Sequence, residues 1–208
     1  MPRIPESILV VEGPDDREVI FQLCNAYGLD NRSLFSVEAR DGVDELLRRA
    51  AIVTSAPTVG YVLDADGDPA ARWFALRQKL LPSYPDLPEA PVPGGLIIAR
   101  HVGGPSRLGV WLMPDNRLPG MMEDFLLTLA PPDDVLVPAA KQALTTLPER
   151  RFSEAHHTKA LLATWLAWQE EPGARPGLAL TRHILRPDHP EAARFMSWLK
   201  ELFAPGAP

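Results

Sequence analysis

The feature that most constrains this chain is Val59-Gly60-Tyr61-Val62-Leu63, an apolar run that passes directly into Asp64-Ala65-Asp66-Gly67-Asp68. A short run with no polar face has to be covered on both sides, which predicts a central strand of a parallel sheet. The aspartates then stand just beyond its carboxyl end. Ile8 to Val11 repeats the pattern and ends in Glu12-Gly13-Pro14. Parallel sheets collect ligands outside the carboxyl ends of their strands, so both runs deliver acids to the edge where chemistry is expected.

Between these strands the pattern is helical. Pro14 suits a helix start, Val19, Ile20, Leu23, Cys24 and Tyr27 recur at helical spacing, and Gly28 supplies a stop. Leu34 to Val37 reads as a weaker strand, followed by a helix with Val43, Leu46, Leu47, Ala50 and Ala51 on its apolar stripe. Pro69 to Leu81 predicts another helix. Pro82, Pro85, Pro88, Pro91 and Pro93 then exclude a helix and predict an extended surface loop up to Gly95. Leu96 to Ala99 and Leu108 to Met113 are strand candidates. Met121 to Leu129, Val135 to Leu147, Lys159 to Gln169 and Ala192 to Leu202 are helix candidates. The expected fold is α/β, a mostly parallel sheet flanked by helices, with a mostly helical C-terminal third. Residues 1–130 would form the α/β core, and residues 131–208 a helical extension packed on the same domain.

If Glu12 and Asp64 end neighbouring strands, they meet in space although they are distant in sequence. Asp66 rides on the same turn as Asp64. Asp16, on the first turn of the following helix, faces the same edge. Two carboxylates about 4 Å apart repel by about 4 kcal/mol at the effective dielectric of a protein surface. Protonating one of them relieves this, but the usual partner for oxygen-only ligands is Mg²⁺ or Mn²⁺. Taken singly, each piece has a plainer reading. A glutamate at a strand end is more often a solvated edge residue, and Asp-x-Asp also serves turns and helix caps. The start of a calcium loop at Asp64 is excluded because Pro69 stands where its glycine belongs and Ala75 where its last glutamate belongs.

The order Leu9-Val10-Val11-Glu12-Gly13, then Asp16, then Val62-Leu63-Asp64-Ala65-Asp66 resembles the Toprim domain of topoisomerases, primases and OLD-family nucleases. The likeness covers roughly the first half of the chain. It implies a Rossmann-like fold, a glutamate (Glu12) for acid-base chemistry or metal binding, and Mg²⁺ on Asp64 and Asp66. By the OLD-family order it further implies Asp16 and Glu123 as metal ligands and Lys159 as a catalytic cation. The chain as a whole also resembles a family of small stand-alone Toprim-like proteins, through Val110-Trp111-Leu112-Met113-Pro114-Asp115-Asn116 and Lys159-Ala160. Haloacid-dehalogenase phosphatases share the strand ending in Asp-x-Asp. They carry it on the opening strand, usually with Thr or Val where Asp68 stands here.

The resemblance implies a two-ion, Mg²⁺- or Mn²⁺-dependent nuclease acting on DNA or RNA. A catalytically silent metal- or nucleotide-binding module, and a small-molecule phosphatase or nucleotidyltransferase, remain open alternatives. No Gly-x-x-x-x-Gly-Lys-Ser/Thr occurs, so any coupled ATPase would be a separate chain. The net charge of −6 argues against binding nucleic acid through bulk positive charge and leaves room for a local basic rim. A single cysteine, Cys24, excludes an intrachain disulfide and a cysteine zinc site. The opening MPRIPESILVVEGPDD has no signal-peptide core, and no apolar run approaches the roughly 20 residues that span a bilayer, so a cytoplasmic protein is expected. Asp115, Glu123 and Asp124 are all ligand candidates that could instead serve as favourable charge at a helix start, and Glu123 is preferred because it follows the order that the OLD-family resemblance implies. His156 and His157 are adjacent and make a poor metal pair, with at most one expected to line the site. Trp165, Leu166 and Trp168 are expected in the core, as is Cys24.

Overall fold

Strands that alternate apolar residues across two faces need a layer of helices on each face, and the computed structural model, which describes residues 6–50, 55–99 and 107–204, has that architecture. Ile8–Val11 (β1), Ser36–Ala39 (β2), Thr58–Asp64 (β3), Leu96–Ala99 (β4) and Arg107–Met113 (β5) form one sheet in the order β2-β1-β3-β5-β4. β1 pairs in parallel with β2 and with β3, β3 pairs in parallel with β5, and the edge strand β4 runs antiparallel to β5. The helices are Pro14–Ala26 (α1), Asn31–Leu34 (α2), Val43–Ala50 (α3), Pro69–Leu80 (α4), Met122–Thr128 (α5), Leu136–Thr145 (α6), His157–Ala167 (α7), Pro176–Thr181 (α8) and Pro190–Phe203 (α9). Among the described residues, no helix is long and apolar enough to cross a membrane.

Leu9 and Val11 of β1, Val62 of β3, and Trp111 and Met113 of β5 point into one apolar core, filled by α1, α5, α7, α8 and α9. Val10, Val59, Tyr61, Leu63, Val110 and Leu112 point into the other, under α3 and α4. α9 docks on the middle of the sheet through two glycines. Gly60 and Gly109 are register partners on β3 and β5. A Cβ on Gly109 would lie 2.4 Å from Leu202 Cδ2, and one on Gly60 2.9 Å from the same atom. The missing side chains make the slot that Leu202 occupies. Phe203 stacks on Phe35 with ring centroids 4.1 Å apart, and Trp198 Nε1 donates to the Leu96 carbonyl at 3.1 Å. The C-terminal helices thus share one core with β1 and α1.

Some sequence expectations are corrected. Leu34 belongs to the helical turn α2, closed by Phe35 N donating to the Asn31 carbonyl at 2.9 Å, and the strand starts only at Ser36. That turn lets Leu29 and Phe35 enter the core before the chain joins the sheet. α8 was not expected, because six residues are too few to show a helical period. Trp168 is 43% exposed, since α7 ends at Ala167 and the next side chain leaves the apolar face. Ala51 lies outside the described residues. Pro82 to Gly95 forms neither helix nor strand, yet it is anchored. Tyr84 and Leu87 are buried, and the Pro88 carbonyl accepts from Trp73 Nε1 at 3.1 Å and Arg77 Nε at 2.9 Å.

The chain leaves β1 for β2 on one side and then crosses back to β3 on the other. The crevice at the carboxyl ends of β1 and β3 is therefore the topological switch point of the sheet. Glu12 and Asp64 are the residues found there.

Candidate functional site

Glu12 directly follows β1, and its Oε1 accepts a hydrogen bond from the backbone N–H of Asp64 at 2.9 Å. Asp64 closes β3, and its Oδ1 accepts from Met122 N at 2.8 Å, at the start of α5. Asp16 lies in the first turn of α1, where Oδ2 accepts from Gly13 N at 2.8 Å. Each carboxyl group is thus held by a backbone donor whose position the sheet or a helix start dictates. The expected meeting of Glu12 with Asp64 is present, and Asp16 joins it.

Glu123 follows Met122 and reaches the same space, its Oε1 3.5 Å from Lys159 Nζ on α7. The Lys159 side chain is 63% exposed and that of Glu123 only 17%, so the cation stands at the rim and the acid deeper. Asp124 does different work. It accepts from Met121 N at 2.8 Å and from Thr158 Oγ1 at 3.0 Å, tying α7 to α5 just before Lys159. Asp115 accepts from Arg117 N at 3.0 Å and Leu118 N at 2.8 Å, which makes it a turn residue. Asp66 sits in the left-handed region at φ 51°, which Asp tolerates better than most residues. Its backbone exchanges hydrogen bonds with Gly120 at 2.8 and 2.6 Å, and its side chain pairs with Arg72 of α4. Asp68 caps α4 by accepting from Ala70 N and Ala71 N.

Burial dominates the electrostatics of the three inner acids. It pushes the Asp64 carboxyl up to about 8, helped by the charges of Glu12 and Asp16 and opposed by the Met122 N–H. It pushes Glu12 up to about 7, against the Asp64 N–H and the positive charge of Arg72. It pushes Asp16 up to about 6, against the Gly13 N–H, with Glu123 raising the value and Lys159 lowering it. The last proton leaves this cluster only near neutrality or above.

Among the described residues, no three His, Cys, Asp or Glu side chains are drawn together as a closed ligand set. The donors are nonetheless all carboxylate oxygens, under-compensated and partly desolvated, and a hard divalent ion suits that chemistry. Glu12, Asp16, Asp64 and Glu123 are the residues that can hold one, joined by Asp66 if it turns away from Arg72. His156 is exposed, His157 Nδ1 is buried with no hydrogen-bond partner among the described residues, and neither borders the cleft beside the acids. Trp165 is core, with Nε1 donating to Asp134 at 3.0 Å, and Cys24 is buried. Sequence reasoning missed the Met122 N–H, Thr158 and Arg72. Of these, only Arg72 was open to discovery, one helical turn beyond the acidic run.

The fold and site together define a mostly parallel α/β protein with an acid-lined crevice at the switch point of its sheet. Over residues 6–204 the chain matches the family described as Protein of unknown function (DUF3226), and it belongs to that family. Comparisons with curated proteins and with solved structures each give no match.

Proposed function

We propose that this protein is a divalent-metal-dependent phosphodiester hydrolase of Toprim type, a nuclease acting on DNA or RNA. The observation that carries the reading is the contact of Glu12 with Asp64 at the switch point, with Asp16, Glu123 and Lys159 around it. A Mg²⁺ or Mn²⁺ pair bound there would polarise a phosphoryl oxygen and lower the pKa of water. Glu12, pushed up to about 7 by burial, is matched to taking a proton from water near neutral pH. Asp64 is oriented by the Met122 N–H and would bring negative charge to the floor of the site once a bound ion displaces its proton. Lys159, exposed on the rim, meets the phosphate as charge develops on it. Any energy coupling belongs to a separate ATPase chain, and a cytoplasmic location is part of the same reading.

Purified protein in Mn²⁺ with linear and circular, single- and double-stranded DNA and RNA tests this directly, with Glu12→Ala as control. Cleavage that disappears in the variant is the expected result. Mn²⁺ that raises the melting temperature without any cleavage would make the site a metal-binding module. Hydrolysis of small phosphate esters but not of polymers would make it a phosphatase.

A further inference from the structure

On its α1 and α7 side the acidic site opens into a cleft of about 250 Å³. Asp16, Glu123 and Lys159 belong to both, so whatever enters the cleft touches the proposed reaction centre. The rest of the cleft is of another character. Val19 of α1, Leu126 of α5, and Leu162 and Leu166 of α7 make an apolar floor, Ala163 borders it from an exposed position, and at the polar end Asp15 adds a third carboxylate and Arg175 a second cation. These groups come from four separate stretches of chain, held in place by the buried faces of α1, α5 and α7.

Size and chemistry narrow the occupant. The volume of about 250 Å³ falls just short of ordinary small-ligand sites, which begin at about 300 Å³. An α-helix with its side chains is about 10–12 Å across, too wide for such a space. The occupant is therefore a single small body with an apolar part for the leucines and an anionic end met by Lys159 and Arg175 and by the metal proposed beside Asp16 and Glu123. Nucleic-acid enzymes that take a base out of its stack hold it between apolar or aromatic walls in this way.

We infer that this cleft receives the base and sugar of one nucleotide, with its phosphate at the Lys159 mouth. The substrate then presents one unstacked nucleotide, free or as part of a strand, and not a stacked stretch of duplex. This rests on the phosphodiesterase reading above and names the form of its substrate.

Titration calorimetry on the full chain tests the inference with four probes: Mn²⁺ alone, then AMP, ribose 5-phosphate and inorganic phosphate in the presence of Mn²⁺. AMP should bind at least tenfold more tightly than ribose 5-phosphate, because only AMP fills the apolar floor. Ala163→Trp places a large side chain in the cleft from an exposed position. It should weaken AMP at least tenfold while leaving the Mn²⁺ isotherm unchanged, and Ala163→Leu should give an intermediate loss even if the tryptophan disturbs the fold. Equal binding of AMP and ribose 5-phosphate, or AMP binding indifferent to both substitutions, overturns the inference. The Mn²⁺ isotherm reports separately on the metal site. Mn²⁺ bound without AMP sinks the cleft assignment alone, whereas AMP binding that depends on residue 163 without Mn²⁺ binding sinks the metal reading and keeps the cleft.

Discussion

Glu45 on α3 and Asp64 at the end of β3 are displaced in opposite directions. Glu45 stands at the surface, its side chain 28% exposed, and lies 2.7 Å from Arg48 and 2.6 Å from Arg49, and hydrogen bonds from those two guanidinium groups hold its carboxyl down at about 2. Asp64 is buried beside Glu12 and Asp16 and is pushed up to about 8. On α3 the negative charge is already matched and solvated. At the sheet edge, Lys159 pairs with Glu123 and Arg72 with Asp66, which leaves the three innermost carboxyls facing one another. An added cation would therefore gain most at the sheet edge, where a divalent ion would relieve the repulsion that two arginines already relieve on α3.

The largest effect expected from breaking this contrast comes from replacing Asp64 and Asp66 together by asparagine. Phosphodiester cleavage should fall by about three powers of ten or more, since both charges proposed to hold the ions are gone. The Mn²⁺-induced rise in stability, about 2.7 kcal/mol at a hundredfold excess over Kd, should vanish with it. Calorimetric melts with and without Mn²⁺ measure this, and a rise that persists in the double variant would place the ion elsewhere.

Lys159→Ala comes next. Removing the rim cation should slow cleavage by about two to three powers of ten, roughly 2.7 to 4 kcal/mol in the barrier, with Mn²⁺ affinity nearly unchanged. Lys159→Arg should restore only part of the rate, because a planar fork and a compact ammonium present their donors differently. Steady-state rates within threefold of wild type for Lys159→Ala would remove the lysine from the reaction.

A smaller effect appears in the stability of the metal-free protein as a function of pH. The folded pKa values of Asp64, Glu12 and Asp16 lie above their ordinary values, so between about pH 4 and 8 the folded state holds protons that the unfolded chain has released. Their contribution is fully present below pH 4 and is lost as pH rises toward 8. Asp64→Asn keeps an oxygen for the Met122 N–H and removes the charge. It should flatten that fall and stabilise the metal-free protein at pH 8 by about 1 to 3 kcal/mol. Urea melts across this range check it, and a wild-type curve that climbs from pH 5 to 8 would contradict the raised values. The least effect belongs to Glu45→Gln, which should leave both cleavage and the Mn²⁺ response where they were, since its charge plays no part at the edge.

The meeting of Glu12 with Asp64 was legible because each ends an apolar run, and the alternation of strands and helices placed both runs in one parallel sheet. Asp16 followed from its position one helical turn after Glu12. Glu123 and Lys159 were reached only through the resemblance, because nothing in their local pattern distinguishes them from Asp124 or from a lysine on any exposed helix. Leu34 was misassigned for a related reason. Its hydrophobicity says that it is partly buried but not whether helix or strand buries it.

The sequence by itself determined the strand-helix alternation, the acids at two strand ends and the proline-rich break after α4, all of which depend on neighbours along the chain. Only the tertiary structure decided that Asp124 clamps Thr158 while Glu123 joins the acids, that Asp66 turns toward Arg72, and that an apolar cleft adjoins the site. The physical reason is that burial, charge interaction and cavity shape depend on distances through space. The groups that set them here, from α1, α5, α7 and the turn before α8, share no pattern until the core has brought them together.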